Sequence, residues 1–502
     1  MLGWRMRAGR LPVLVLLALS LGAPGRVGMG AGAPSPAAAA SSGSPTALYF
    51  VGARGVFSFG DKIAVVNPNP FTTTVTLTYF VQGRRPVAVT SPYPPGARAR
   101  VEVTEYAFQY SLGAVSAVGV SSPARIVAAY VRGYGHVAYV PGAASGANTT
   151  LYFAEGNTGG SARTYLTLLN PGRVAARVTV TVAPQAASAA DALSLRFTLP
   201  AGVVVTRDLA RDFRGRRTSS FGLIVTSDRP IAAERVLRFD DTPATPFQDD
   251  RSDVATAAAG AQTAAATLYF PYGSAEGPSF IAVLNPGRRP AVVRARFSDS
   301  AGKAVGTGAI TVAPRTRGTL DLGAVGRVAR VYATVLTATA PIVAEETRYF
   351  GHGTAAHGQP AFVLAGTPVG VTSAVFPDLD LRNPSLTYNL GEPKQQTVYL
   401  YNPMAASIIV TAAYRAYTDT VSAGSLAIVS KSVAYAVPAG GVTIVDVNRD
   451  TAGLIAYRLG NGTLESTLDA TFATTGGERF LAAALTAPAP EPPRMAAAQG
   501  RR

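Results

Sequence analysis

An apolar run ending in Asn-Pro occurs four times in this 502-residue chain, at Asn67-Pro68, Asn170-Pro171, Asn285-Pro286 and Asn402-Pro403. The spacings are 103, 115 and 117 residues, each the length of a small domain. Two other landmarks keep a fixed order around these pairs. Leu-Tyr-Phe precedes three of them, at residues 48–50, 151–153 and 268–270. A Pro-containing hairpin follows three, at Pro123-Ala-Arg-Ile126, Pro230-Ile-Ala-Ala-Glu-Arg235 and Pro341-Ile-Val-Ala-Glu-Glu346. One Asn-Pro pair carries no information, but three landmarks in one order mark internal repetition.

Within a repeat the hydrophobic period is two. Arg177-Val-Thr-Val-Thr-Val182 places Val on one face of a strand and Arg or Thr on the other. Seven strands are predicted in the second repeat, over 151–153, 163–169, 177–182, 193–199, 203–208, 221–226 and 231–239. Asn170-Pro171-Gly172, Pro200-Ala201-Gly202 and Ser227-Asp228-Arg229-Pro230 fall between them, where Pro lacks a ladder N–H and Gly permits positive φ. Seven short strands in about 100 residues fit a two-sheet sandwich. The expected fold is all-β, with four tandem immunoglobulin-like antiparallel β-sandwiches after an N-terminal signal peptide. The boundaries are 1–40 for the signal and a small-residue linker, 41–146, 147–245, 265–366 and 367–486 for the four repeats, 246–264 for a linker, and 487–502 for a disordered tail. Repeats this large can bury their own cores and are expected to behave as beads.

The fourth repeat departs from the others. It lacks the Leu-Tyr-Phe start and the Pro-Ile ending, and carries an insertion around Thr418 to Ser430. Across 47–485, Phe153-Ala-Glu-Gly156, Thr164-Tyr-Leu-Thr-Leu-Leu-Asn-Pro171, Val178-Thr-Val180 and Pro230-Ile-Ala-Ala-Glu-Arg235 together resemble a tandem immunoglobulin-like repeat of bacterial secreted and cell-surface proteins, mostly of unassigned function. The second repeat matches best and the fourth weakly. The resemblance implies location and architecture, and supplies no catalytic residue.

Arg5, Arg7 and Arg10 precede the apolar run Leu11–Leu21 and a stretch of small residues, the layout of a cleavable export signal. Cleavage is expected within 30–40, for instance after Ala40, leaving a secreted or surface protein with no stable membrane span. The net charge is +16, and Arg5, Arg7, Arg10 and Arg26 account for four of it, leaving +12. That balance suits anionic polymers. The arginines are scattered, though, and not interleaved with aromatics, so no nucleic-acid partner is expected.

With no cysteine and three histidines, thiol chemistry is excluded and little material remains for histidine catalysis. His352 and His357 lie five apart among glycines, and His136 is isolated; neither pattern makes a metal site. Glu234 and Glu345 occupy matching repeat positions, which favours a strand Glu facing a neighbouring Arg. The acidic run Asp240, Asp241, Asp249, Asp250 and Asp253 lacks a calcium-loop pattern and is expected to be a solvated linker. No enzyme activity, cofactor or metal is expected. The leading expectation is a structural or adhesive surface protein whose partners are cell-wall polysaccharide or other surface proteins. Its first alternative is a polysaccharide-binding protein using basic charge and exposed aromatics, with Tyr130, Tyr134, Tyr139, Tyr414 and Tyr417 as the candidate ligand-binding residues. The second is a hydrolase in the fourth repeat, with a pocket lined by Asp419, Asp446 or Asp450. The Leu-Tyr-Phe aromatics are expected to pack inward.

Overall fold

The computed structural model describes residues 45–51, 62–103, 115–131, 146–160, 162–185, 193–213, 220–239, 254–274, 279–323, 331–349, 361–379, 394–417, 429–451 and 467–488. Every described strand lies in one compact unit, Gly43–Arg502. The described strands fall into four consecutive groups of seven. The first holds β1 (Thr46–Phe50), β2 (Lys62–Val66), β3 (Thr73–Val81), β4 (Val87–Tyr93), β5 (Arg98–Glu102), β6 (Val115–Ser122) and β7 (Val127–Val131). The second holds β8 (Asn148–Phe153), β9 (Ala162–Leu169), β10 (Ala176–Pro184), β11 (Ser194–Leu199), β12 (Val204–Asp208), β13 (Phe221–Phe239) and β14 (Val254–Ala259). The third holds β15 (Ala265–Ser274), β16 (Ser279–Asn285), β17 (Ala291–Ser298), β18 (Ala304–Val312), β19 (Thr316–Asp321), β20 (Val331–Tyr349) and β21 (Ala361–Ala365). The fourth holds β22 (Ser373–Leu379), β23 (Lys394–Tyr401), β24 (Ile408–Tyr417), β25 (Val429–Val437), β26 (Val442–Asp446), β27 (Thr467–Thr474) and β28 (Leu481–Pro488). Two short helices, α1 (Leu209–Asp212) and α2 (Val447–Thr451), are the helical elements among the described residues. None of the described helices is long and apolar enough to cross a membrane.

The first group pairs as β1-β6-β3-β4 and β5-β2-β7, and the fourth as β22-β27-β24-β25 and β26-β23-β28, which is the same order. In the second group one long strand serves both sheets. The first part of β13 pairs with β8 and β10, and the rest with β9 and β14. In the third group β20 does the same with β15 and β17, then β16 and β21. The chain between 221–226 and 231–239 is therefore continuous strand, not the turn expected at Ser227–Pro230. The register against β8 shifts between Thr226 and Ile231, so Pro230 stands where the strand changes sheets and no ladder N–H is required. The expected 246–264 linker contains β14, whose Val254–Ala259 pair with Phe239–Glu234. The tail boundary also moves, because Ala487 and Pro488 pair with Gln395 and Lys394.

Alternation builds the cores. In β10, exposed Arg177 sits between buried Ala176 and Val178, and Val178, Val180 and Val182 meet Leu166 and Leu168 from the other sheet. Equivalent clusters join Val75, Leu77 and Tyr79 to Ile63 and Val65, and Val410 and Tyr414 to Val398 and Leu400. Each fully buried Val or Leu contributes about 1.5–3 kcal/mol.

The Asn of each Asn-Pro pair is fully buried and makes one recurring set of bonds. Asn170 Nδ2 donates to Val174 O at 2.8 Å and Leu199 O at 3.0 Å, while Oδ1 accepts from Gly172 N at 3.0 Å. Asn67, Asn285 and Asn402 each bind the carbonyl four residues on, a carbonyl near the end of the fourth strand, and the amide two residues on. One side chain thus ties two chain reversals together.

Candidate functional site

The residues flanking the sheets decide how the groups meet. Of the Leu-Tyr-Phe triplets, Phe50, Phe153 and Phe270 are buried in their own group, as expected. The middle Tyr turns outward instead. Tyr49, Tyr152 and Tyr269 pack against apolar clusters shared between neighbouring groups. Val51, Phe80 and Ala117 of the first group meet Leu169 and Ala232 of the second. Ala154, Ala183 and Ile224 of the second meet Ala282, Leu284 and Val343 of the third. Tyr272 and Ala333 of the third meet Tyr399, Tyr401, Val442 and Leu481 of the fourth, with the Tyr272 and Tyr399 rings 4.0 Å apart. The fourth group in turn contacts the first, where β22 lies against β7 and β2. The groups are thus not independent beads, because strand faces that a lone bead would leave to solvent are covered by neighbours.

One backbone position recurs at all four contacts. Arg98, Val204, Arg317 and Val442 each pair with the residue preceding the group's Asn. At three contacts this position meets the residue that follows the first-strand Phe of the preceding group, and at the third-to-fourth contact it meets Tyr272, two residues after Phe270. Arg317 Nε donates to Ala154 O at 3.1 Å, and Arg98 Nε to Pro377 O at 2.8 Å. Val204 packs in the cluster that holds Val51, and Val442 in the one that holds Tyr272. The fourth group's missing Leu-Tyr-Phe is filled by Ala374-Val375-Phe376, with Phe376 in the core.

The contact between second and third groups holds the most concentrated chemistry among the described residues. Arg235 is fully buried; its Nη2 lies 2.5 Å from Glu345 Oε2 and 3.7 Å from Glu155 Oε2. Its Nη1 donates to Thr256 Oγ1 at 2.9 Å. Glu345 Oε1 accepts from Ala154 N at 2.7 Å, and Thr347 Oγ1 donates to Glu155. Arg317 Nη1 donates to Gln185 Oε1 and to Thr319 Oγ1. Burial pushes the Glu155 carboxyl up, an effect that Arg235 and the Thr347 hydroxyl partly oppose. The arrangement cross-links two groups with matched charges and offers no exposed nucleophile. The expectation that a repeated strand Glu faces an Arg fits Glu345. Glu155 and Arg317 were missed, although a Glu directly after the apolar Leu-Tyr-Phe-Ala run, in a chain only 15% charged, was a usable signal.

On the opposite face of β20, Glu346 is 1% exposed and burial pushes its carboxyl up to about 8 against the pull of Arg348. Glu346 Oε2 has no hydrogen-bond partner. Arg348 Nη1 donates to the Tyr272 hydroxyl, and its guanidinium lies 5.6 Å from that ring's centroid.

Of the five candidate tyrosines, the side chain of Tyr414 alone lies within the described residues. Tyr414 is fully buried in the fourth core, and its hydroxyl donates to Asp450 Oδ2 at 3.0 Å; it cannot stack on a sugar, which corrects that expectation. Burial also raises the pKa of its hydroxyl. Tyr130 lies on β7 and Tyr417 at the end of β24, with side chains outside the description. Tyr134 and Tyr139 lie outside the described residues, as do His136, His352, His357, Asp419 and the acidic run from Asp240 to Asp253. Of the supposed hydrolase carboxylates, Asp446 accepts from Arg449 N at 3.1 Å at the start of α2, and Asp450 is held by Tyr414. Among the described residues no three His, Cys, Asp or Glu side chains are grouped to hold a metal ion.

No protein-family model matches the chain, and no curated protein matches it. Among solved structures, the crystal structure of Thermotoga maritima 1070 is similar at 17% identity over 21% of this chain and 94% of that one, with a TM-score of 0.19. An overlap that slight supports no statement about fold or activity.

Proposed function

We propose that this chain is a non-enzymatic secreted or cell-surface protein of structural or adhesive role, built from four immunoglobulin-like β-sandwiches closed into a ring. The observation that carries it is the recurrence of one contact at four places, the last joining the fourth group to the first. A heterologous contact whose rotation closes gives a ring and not a filament. The function then differs from that of an extended spacer. A closed ring holds the loops of four modules at fixed mutual angles, so weak contacts on several of them act together. Export is supported by the charged and apolar N-terminal segment, and the non-enzymatic reading by the enclosure of the Arg235 and Tyr414 networks in the fold.

Small-angle scattering tests the architecture. A closed ring of residues 43–502 has a radius of gyration near about 23 Å, from compact-domain scaling. A string of four separated beads gives roughly twice that and would overturn the ring. Fractionation of producing cells tests the location: the chain is expected outside the cytoplasm with a new N-terminus within residues 31–41, and an intact cytoplasmic chain would overturn export.

A further inference from the structure

Three arginines gather at one end of the third strand group. Asn285 Nδ2 donates to Arg289 O at 2.8 Å, Val312 O at 3.0 Å and Ala313 O at 3.2 Å, so the 286–290 loop and the 313–316 turn share one clamp. Arg288 and Arg289 lie on that loop and Arg315 on that turn, and all three are exposed. Among the described residues no carboxylate pairs with any of the three guanidinium groups.

Arg315 carries a second, independent signal. Its φ is 54°, and it is the one positive-φ residue other than glycine among those described. The same turn in the other groups places Gly96, Gly202 and Gly440 at φ 68°, 69° and 64°. A side chain with a Cβ is disfavoured in this region, and backbone strain of this kind concentrates where a side chain is needed for something else. Here the strained position adds a third arginine to an end that already has two.

The chemistry of the cluster selects its partner. Guanidinium groups bind carboxylate or sulfate in a forked, charge-assisted geometry. The exposed large apolar side chains among the described residues are Val, Met and Ile, with no aromatic for bases to stack on and no aromatic anchor for a lipid interface. We infer that this end of the third group binds an acidic polysaccharide, taking its carboxylates or sulfates on Arg288, Arg289 and Arg315. This gives the adhesive reading a ligand class. It rests on that reading for exposure to such polymers and not on ring closure, so a failed scattering result leaves it standing.

The test is binding of the purified protein to immobilised polygalacturonate and heparin across a salt series. The triple variant Arg288→Ser/Arg289→Ser/Arg315→Gly is expected to bind at least about tenfold more weakly, with a salt slope lower by about 2–3. A control removing the same charge elsewhere, Arg85→Ser/Arg163→Ser/Arg196→Ser, is expected to stay within about twofold. Arg315→Gly alone should raise the melting temperature while weakening binding, which separates recognition from folding. Equal loss in both triple variants, no binding by the native protein at about 0.15 M salt, or tighter binding to duplex DNA or phosphatidylglycerol vesicles than to either polysaccharide would each overturn the inference.

Discussion

The second-to-third and third-to-fourth contacts use the same strands and opposite chemistry. Arg317 in one and Val442 in the other hold the same ladder position. Around Arg317 lie Arg235, Glu155 and Glu345; around Val442 lie Tyr272, Tyr399, Tyr401 and Leu481. The backbone thus fixes where neighbours meet, while a few side chains decide what kind of contact forms. A charged contact is fragile to loss of one partner, because the other is left buried and unpaired. An apolar contact loses only what is removed, plus the cavity left behind.

The largest effect is expected on the charged side. Arg235→Met strands Glu345 and Glu155, and should destabilise the protein by about 3–5 kcal/mol in denaturant unfolding. Adding Glu345→Leu should restore much of that loss; a double variant no better than the single would show that the pair is not the unit of stability. On the apolar side, Tyr399→Ala empties the space against Tyr272 and should cost about 3 kcal/mol, with no rescue from substitutions at Arg235 or Glu345.

A smaller effect separates the two regions by pH. The folded pKa of Glu346 is raised to about 8, so the folded state holds the proton more tightly than the unfolded one. Its contribution is full below the unfolded carboxylate value and fades as pH rises toward 8. Glu346→Gln should therefore leave the melting temperature nearly unchanged near pH 4 and raise it near pH 8, as followed by thermal unfolding at both. An equal shift at both values would mean that ionisation of Glu346 is not involved. The smallest effect concerns the turn beside the charged contact. Arg315→Gly should stabilise by about 0.5–1 kcal/mol through relief of positive φ, whereas Gly202→Ala in the equivalent turn should destabilise.

Strand positions were legible because a period-two pattern cannot sit in a half-buried sheet any other way: six of the seven strands foreseen in 147–245 start within three residues of observed ones, and the seventh falls inside β13. Ser227–Pro230 misled because a proline needs only the absence of a ladder partner, and a strand changing sheets supplies that as well as a turn does. The Asn-Pro pairs were visible in the sequence but the clamp was not, since the three partners of Asn170 are backbone groups invisible to composition. Tyr414 was misjudged for a related reason. A Tyr at an alternating strand position faces either way, and only the buried carboxylate of Asp450 revealed which.

The Arg98-to-Pro377 contact also has a mechanical meaning. The first and last described strands, β1 and β28, belong to the two groups that this contact joins. A pull applied between those strands loads the contact before it stretches the polypeptide linking successive groups. The seam between first and fourth groups is then expected to part first and release length while the cores stay folded, the behaviour of a fuse under tension.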